Sequence, residues 1–242
     1  MKVFILLSLC TFPLGIMAQK IQYPATQKVN QSDNYFGTTI EDPYRWLEDD
    51  TAANTAAWVI EENKVTQNYF DQIPFRQKLH NRLSELWNYP KYSAPDKNGS
   101  YYSFYKNDGL QNQAVLYIQK GITGNPEVFI DPNKLSIDGT VALQATAFSK
   151  KQRYFAYAVS ASGSDWQEIY IMDVNSKKKL SDKLEYVKFT GMSWIGDEGF
   201  YYSGYSKPKE EKTKYSAKTE YQKVFYHKVG TSQDQDLLVY ED

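Results

Sequence analysis

The apolar residues change their period partway along the chain. Trp58, Val65 and Tyr69 fall at i, i+7 and i+11, the spacing of one helical face. Asp49 and Asp50 precede the alanine-rich start Thr51-Ala52-Ala53, so they are expected to cap the first free N–H groups of that helix and to favour the positive end of its dipole. Pro74 separates it from a second helix over Phe75 to Trp87, in which Leu79, Leu83 and Leu86 share a face, and Pro90 stops it. Ahead of both, Gln19 to Asp50 carries Pro24, the Asp42-Pro43 pair and several turn formers, and reads as an extended, irregular lead-in.

From about Lys91 the pattern becomes strand-like. Tyr101 to Tyr105 predicts a strand, Asn107-Asp108-Gly109 a turn, Ala114 to Ile118 a second strand, and Val128 to Ile130 a third that ends at Asp131-Pro132. The same order recurs in Arg153 to Tyr157 and Glu168 to Met172, then in Phe200 to Tyr202 and Lys223 to Tyr226, with Leu237 to Tyr240 repeating the third strand. Tyr101 to Phe155 and Leu116 to Tyr170 are each 54 positions, and Phe148 and Trp194, which open successive units, stand 46 apart. Units of roughly 40–50 residues with about four short strands each are the signature of a β-propeller. The expected fold is mainly β: a partial β-propeller of about three blades, each a four-stranded antiparallel sheet, preceded by two N-terminal helices. Propellers close with roughly four to eight blades, so three units read as part of a longer chain.

Composition agrees. The 242 residues are 41% hydrophobic and 24% charged, a globular balance, and the 21 Tyr, 12 Phe and 5 Trp favour pleated, half-buried surfaces. A net charge of -1 gives no reason to expect a nucleic-acid partner. At the N-terminus, Met1-Lys2 precedes the apolar run Val3 to Met17, and Ala18-Gln19 is a plausible cleavage point. The run is short for a bilayer, so it is expected to be a signal peptide over 1–18, with no membrane attachment after cleavage and a periplasmic or secreted product. The expected divisions are then 1–18, an extended and helical segment over 19–90, and the incomplete propeller over 91–242. Cys10 is the only cysteine and lies inside the leader, which excludes disulfides and a thiol nucleophile from the mature chain.

A catalytic centre is not found. His80 and His227 are the only histidines, both expected to be surface or half-buried structural residues, and no Gly-x-Ser-x-Gly elbow occurs. His-x-x-x-His and Cys pairs are missing as well, and so is a phosphate loop, so neither a metal nor a cofactor is expected. Lys207 to Lys218 mixes basic and acidic residues and reads as a solvated loop. Ser160 to Trp166 joins two strands of the second unit. It is either a turn in which Asp165 caps local N–H groups or a loop that reaches a ligand or partner domain.

Several segments together resemble the prolyl oligopeptidase family of serine peptidases. These are Glu41 to Asp49 (Glu-Asp-Pro-Tyr-Arg-Trp-Leu-Glu-Asp), Trp87-Asn88-Tyr89-Pro90, the Ser-Gly-Ser-Asp-Trp loop ending at Trp166, Val187 to Trp194, and Gly199 to Tyr202. The match runs from about Tyr23 to the end. The resemblance implies a seven-bladed propeller set over an α/β-hydrolase domain, cleaving short proline-containing peptides after proline. The Ser-Asp-His triad belongs to the C-terminal hydrolase part, on which the two N-terminal helices would pack. It also implies substrate-binding roles for two residues. Phe189 would line the pocket from the propeller side, and Asp165 would set the charge near the same inner face. The alternatives are a blade-core aromatic for Phe189 and the turn cap for Asp165. Two other functions stay open: a non-catalytic peptide- or protein-binding partial propeller, and an inactive truncated remnant.

Overall fold

The computed structural model describes residues 21–207 and 219–241. The leader over 1–18, with Cys10, lies outside the described residues, as does nearly all of the mixed-charge stretch Lys207 to Lys218. The chain divides into two compact units, Met1–Leu79 and His80–Asp242.

In the first unit the lead-in is more ordered than its turn formers predict. β1 (Ser32–Tyr35) and β2 (Thr38–Glu41) form an antiparallel hairpin. Its two-residue turn, Phe36-Gly37, has φ angles of 52° and 91°, the left-handed pair of a type I′ turn. Glycine suits such a position and phenylalanine does not; the Asn34 carboxamide supports the turn by accepting from the Gly37 N–H at 2.9 Å. The Arg45 guanidinium pairs with Asp33 of β1 and, at 2.6 Å, with Asp42, which ties the hairpin to the short 3-10 turn Arg45–Glu48. Those two carboxylates raise the arginine pKa further. Trp46 Nε1 donates to the Gln27 carbonyl at 2.9 Å, and Trp58 Nε1 donates to the Thr26 hydroxyl at 3.0 Å.

Both expected helices form, as α1 (Ala53–Asp71) and α2 (Arg76–Trp87). The capping expectation needs correction. The N-cap residue is Ala52, which offers no side-chain bond, while Asp49 accepts from the Thr51 N–H at 3.1 Å and its hydroxyl at 2.7 Å. Asp49 thus fixes the approach to the helix rather than its first turn. On α2, Leu79, Leu83 and Leu86 form the expected apolar stripe, and all three are exposed.

The second unit holds three antiparallel meanders. In the first, β3 (Lys91–Tyr92) and β4 (Asp96–Asn98) both pair with β5 (Tyr101–Asn107), which is followed by β6 (Val115–Lys120) and β7 (Glu127–Ile130). The second runs β8 (Ala142–Phe148), β9 (Tyr154–Ser160), β10 (Gln167–Asp173) and β11 (Lys179–Val187). The third runs β12 (Ser193–Ile195), β13 (Gly199–Gly204), β14 (Lys223–Lys228) and β15 (Leu237–Tyr240). In the second and third meanders, and from β5 to β7 in the first, neighbours in sequence are neighbours in the sheet, as in propeller blades. Phe148 and Trp194 lie in the first strands of the second and third blades, as their spacing predicted.

The middle blade is buried on both faces, and β9 shows how its sequence achieves this. Phe155 and Tyr157 point to one side and pack with Leu116, Ile118 and Phe129 of the first blade. Ala156 and Ala158 point to the other side, where they leave room for Trp194, Phe200 and Tyr202 of the third. Period-2 alternation of large and small residues thus replaces the apolar/polar alternation of a one-faced sheet. Phe129, Phe148 and Phe155 form an aromatic knot, with Phe148 and Phe155 4.7 Å apart edge-on. Trp194 Nε1 donates across the blades to the Ala147 carbonyl at 3.1 Å.

Candidate functional site

Asp165 and Phe189 lie on two loops at the ends of β9 and β11. The first loop, Ala161 to Trp166, turns at Ser162 and Gly163, both left-handed with φ of 52° and 74°. The Ser164 N–H donates to the Ala161 carbonyl at 3.0 Å and closes the turn. Ser164 Oγ, not Asp165, accepts from the Trp166 N–H, at 3.1 Å. The turn-capping alternative for Asp165 therefore fails: its neighbour does that job, and Asp165 is exposed. Trp166 is buried and meets Tyr205 edge-on at 5.7 Å.

The second loop leaves β11 at Val187. Phe189 has a φ of 49° and is 71% exposed, so it is not a blade-core aromatic. A left-handed conformation is costly for a bulky residue and needs support from its surroundings. Thr190 Oγ1 accepts from the Ser203 N–H at 2.7 Å, which holds the segment against β13. Upstream, Gln233 clamps Glu185 from both sides, accepting from its N–H at 2.9 Å and donating to its carbonyl at 3.0 Å. The two loops meet directly, since Lys188 Nζ lies 4.2 Å from the centre of the Trp166 ring. The residues adjoining Asp165 and Phe189 are thus in contact, and an exposed carboxylate and an exposed aromatic ring are displayed from adjacent loops.

The chemistry-bearing cluster that sequence reasoning missed lies between the second and third blades. His227 on β14 is fully buried, correcting the expectation of a surface or half-buried residue. Its Nδ1 stands 2.7 Å from Asp236 Oδ1 and its Nε2 3.0 Å from Asp182 Oδ1. Carboxylate oxygens only accept, so both ring nitrogens carry protons and the ring is a cation. Burial alone would lower the His227 pKa, but the bonds to Asp182 and Asp236 outweigh it and raise the pKa to about 9. Burial likewise works against the Asp182 carboxylate, yet His227 and the Gly230 N–H hold its pKa below the usual value. Asp236 also accepts from the Tyr202 hydroxyl at 2.7 Å; burial and that bond push the phenol pKa up. With both nitrogens occupied and no access to solvent, this histidine has no lone pair to offer as a base. It latches two blades. Nothing in the sequence marks this latch, because Asp182 of the second blade meets His227 and Asp236 of the third only through the blade stacking. Among the described residues, no group of three or more His, Cys, Asp or Glu side chains is placed to hold a metal ion. No helix among them is long and apolar enough to cross a membrane.

The chain's relatives agree with this architecture. The family model for the prolyl oligopeptidase N-terminal β-propeller domain matches residues 23–242. The chain is 53% identical to a prolyl endopeptidase from Elizabethkingia meningoseptica over 219 residues, which are 90% of this chain and 31% of that protein. It is 52% identical to the Elizabethkingia miricola prolyl endopeptidase, covering 92% of this chain and again 31% of the relative. The chain therefore spans about a third of the length of these relatives. Among solved structures, a prolyl endopeptidase superposes with a TM-score of 0.77 at 30% identity, covering 91% of this chain and 32% of the other. Prolyl oligopeptidase B from Galerina marginata, bound to a 35mer hydrolysis and macrocyclization substrate, superposes with a TM-score of 0.72 at 31% identity, covering 91% of this chain and 34% of the other. By sequence, strand order and blade packing, the chain belongs to the prolyl oligopeptidase family and carries that family's N-terminal β-propeller domain.

Proposed function

We propose that these residues are the N-terminal part of an exported serine peptidase that cleaves short peptides after proline. The observation that carries this reading is the match over residues 23–242, with relatives more than half identical that are named prolyl endopeptidases. In this reading the propeller blades limit access to peptides, and Phe189 and Asp165 contribute an apolar surface and a negative charge to the substrate path. The exposed leucine stripe of α2 packs on an α/β-hydrolase domain encoded after residue 242, which supplies nucleophile, base and orienting carboxylate. The leader over 1–18 directs the product to the periplasm or outside the cell, and the mature chain divides at about residue 90 between helical segment and propeller. The apolar character of the α2 face supports the hydrolase partner, since an uncovered apolar stripe of this kind marks a contact surface.

The coding sequence beyond residue 242 tests the proposal. A Gly-x-Ser-x-Gly elbow followed by an aspartate and a histidine in the same frame is the expected result. A continuous frame that encodes no such elbow would sink it.

A further inference from the structure

A cavity of about 350 Å³ opens beside the β9–β10 turn of the second blade, against the connecting segment that leads into that blade. Its walls include Leu135, Val141, Tyr157 and Val159, and neither Phe189 nor Asp165 lines it. Its size lies at the lower end of small-molecule pockets, which run from about 300 to 1,000 Å³. Two polar atoms distinguish it from a packing defect. Trp166 Nε1 and Gln167 Oε1 belong to adjacent residues that both line the cavity, both atoms are buried, and neither has a hydrogen-bond partner among the described residues. Leaving a buried donor and a buried acceptor unmade is costly, and such pairs call for an explanation.

The charged groups at the same cavity are already engaged. Glu168 accepts from the Tyr170 hydroxyl at 2.6 Å and pairs with Lys183 at 3.0 Å, and Lys179 Nζ lies 4.3 Å from the centre of the Tyr170 ring. A charged ligand would have to break one of these contacts. A neutral ligand that accepts from an indole N–H and donates to a carboxamide oxygen leaves them intact. An amide carries that complementary pair on adjoining atoms, and the apolar and aromatic walls favour an apolar body attached to it.

We propose that this cavity is a binding site for an uncharged amide with an aromatic or aliphatic body, held by Trp166 Nε1–H and Gln167 Oε1. Both atoms are shielded from solvent, so engaging them requires a small side-chain adjustment at the cavity wall.

The probe is N-acetyl-L-phenylalaninamide, titrated into the chain carrying ¹⁵N-labelled tryptophan. The five indole N–H resonances report separately, and Trp166→Phe assigns the one at issue. The expected result is a saturable shift of the Trp166 indole resonance. Gln167→Leu should weaken that binding by at least about tenfold, the effect of losing one buried hydrogen bond. Val141→Phe, which fills the cavity from another wall, should abolish it, so the proposal stays testable if the Gln167 variant folds poorly. Ethylbenzene, which has the ring but no hydrogen-bonding group, should bind at least about tenfold more weakly. A Trp166 resonance unmoved up to the solubility limit of the probe would overturn the proposal. So would a saturable shift confined to another tryptophan, or equal binding of ethylbenzene.

Discussion

Replacing His227 by leucine keeps roughly the side-chain volume and removes both N–H donors. Asp182 and Asp236, from the second and third blades, then face an apolar group inside the protein with no cation between them. Removing one partner of a buried ion pair costs about 3–5 kcal/mol, because the remaining charge is left uncompensated. For a chain of this size each kcal/mol moves Tm by about 2–4 °C, so the variant should melt roughly 10 °C lower at pH 6. The pH dependence is the sharper test. The His227 pKa is raised from 6.5 to about 9 in the folded protein, which corresponds to about 3 kcal/mol of linkage. A raised pKa means that the folded state binds the proton more tightly than the unfolded state. That stabilisation is complete below pH 6.5, falls as the pH rises, and is gone above about 9. Asp182, with its pKa lowered, contributes in the opposite sense: its stabilisation is present above the usual carboxylate value and is lost as the pH falls through its folded value. Denaturant melts of both proteins between pH 5 and about 9.5 read the difference. The stability gap should be widest near pH 6 and should narrow towards pH 9. Parallel curves over that interval would refute the buried imidazolium. A second variant, Asp182→Asn combined with His227→Leu, should recover part of the loss by removing one of the stranded charges.

Four further substitutions probe the packing and the candidate site. Phe155→Ala empties the aromatic knot between the first two blades and should cost about 3–5 kcal/mol in a denaturant melt, because the side chain is almost fully buried and meets three other rings. Gly199→Ala puts a methyl group 2.2 Å from the His227 carbonyl oxygen on the paired strand, so it should destabilise β13 by about 1–3 kcal/mol and weaken amide-exchange protection there. Phe189→Ala and Asp165→Asn alter exposed side chains and should change stability by less than about 0.5 kcal/mol. In an active enzyme containing this propeller, the same two variants should raise KM several-fold with little change in kcat; unchanged KM for both would remove them from the substrate path.

The blades were legible in the sequence because a blade buried on both faces writes its strands as dense apolar runs at a fixed interval, as in Tyr154 to Ser160 and Gln167 to Asp173. β11 was not found. Its inward positions include Asp182, and a carboxylate at a core position breaks the apolar alternation unless its histidine partner, 45 residues later, is already known. β8, with three alanines, carries too little β-branched or aromatic character to announce a strand. The β1–β2 hairpin was hidden by Phe36, which occupies a left-handed turn position where asparagine or glycine is usual. Of the candidate site, Phe189 was reached only through the family resemblance, whereas the loop carrying Asp165 stood out by its run of small residues, serines and a charge. Their placement on touching loops depends on Lys188 stacking over Trp166, and that contact has no sequence signature.

Whether this propeller serves a proline-specific peptidase is tested directly by a chimera. Residues 23–242 would replace the matched segment of the Elizabethkingia meningoseptica prolyl endopeptidase, which supplies the remaining two thirds of its own chain. Cleavage of a chromogenic Gly-Pro substrate is then measured for the parent enzyme, the chimera and the 242-residue chain alone. The expected result is post-proline cleavage by the chimera within about tenfold of the parent, a difference of about 1.4 kcal/mol in the barrier, and none by the chain alone. A folded, monodisperse chimera that fails to cleave while the parent does, or cleavage by the chain alone, would contradict it.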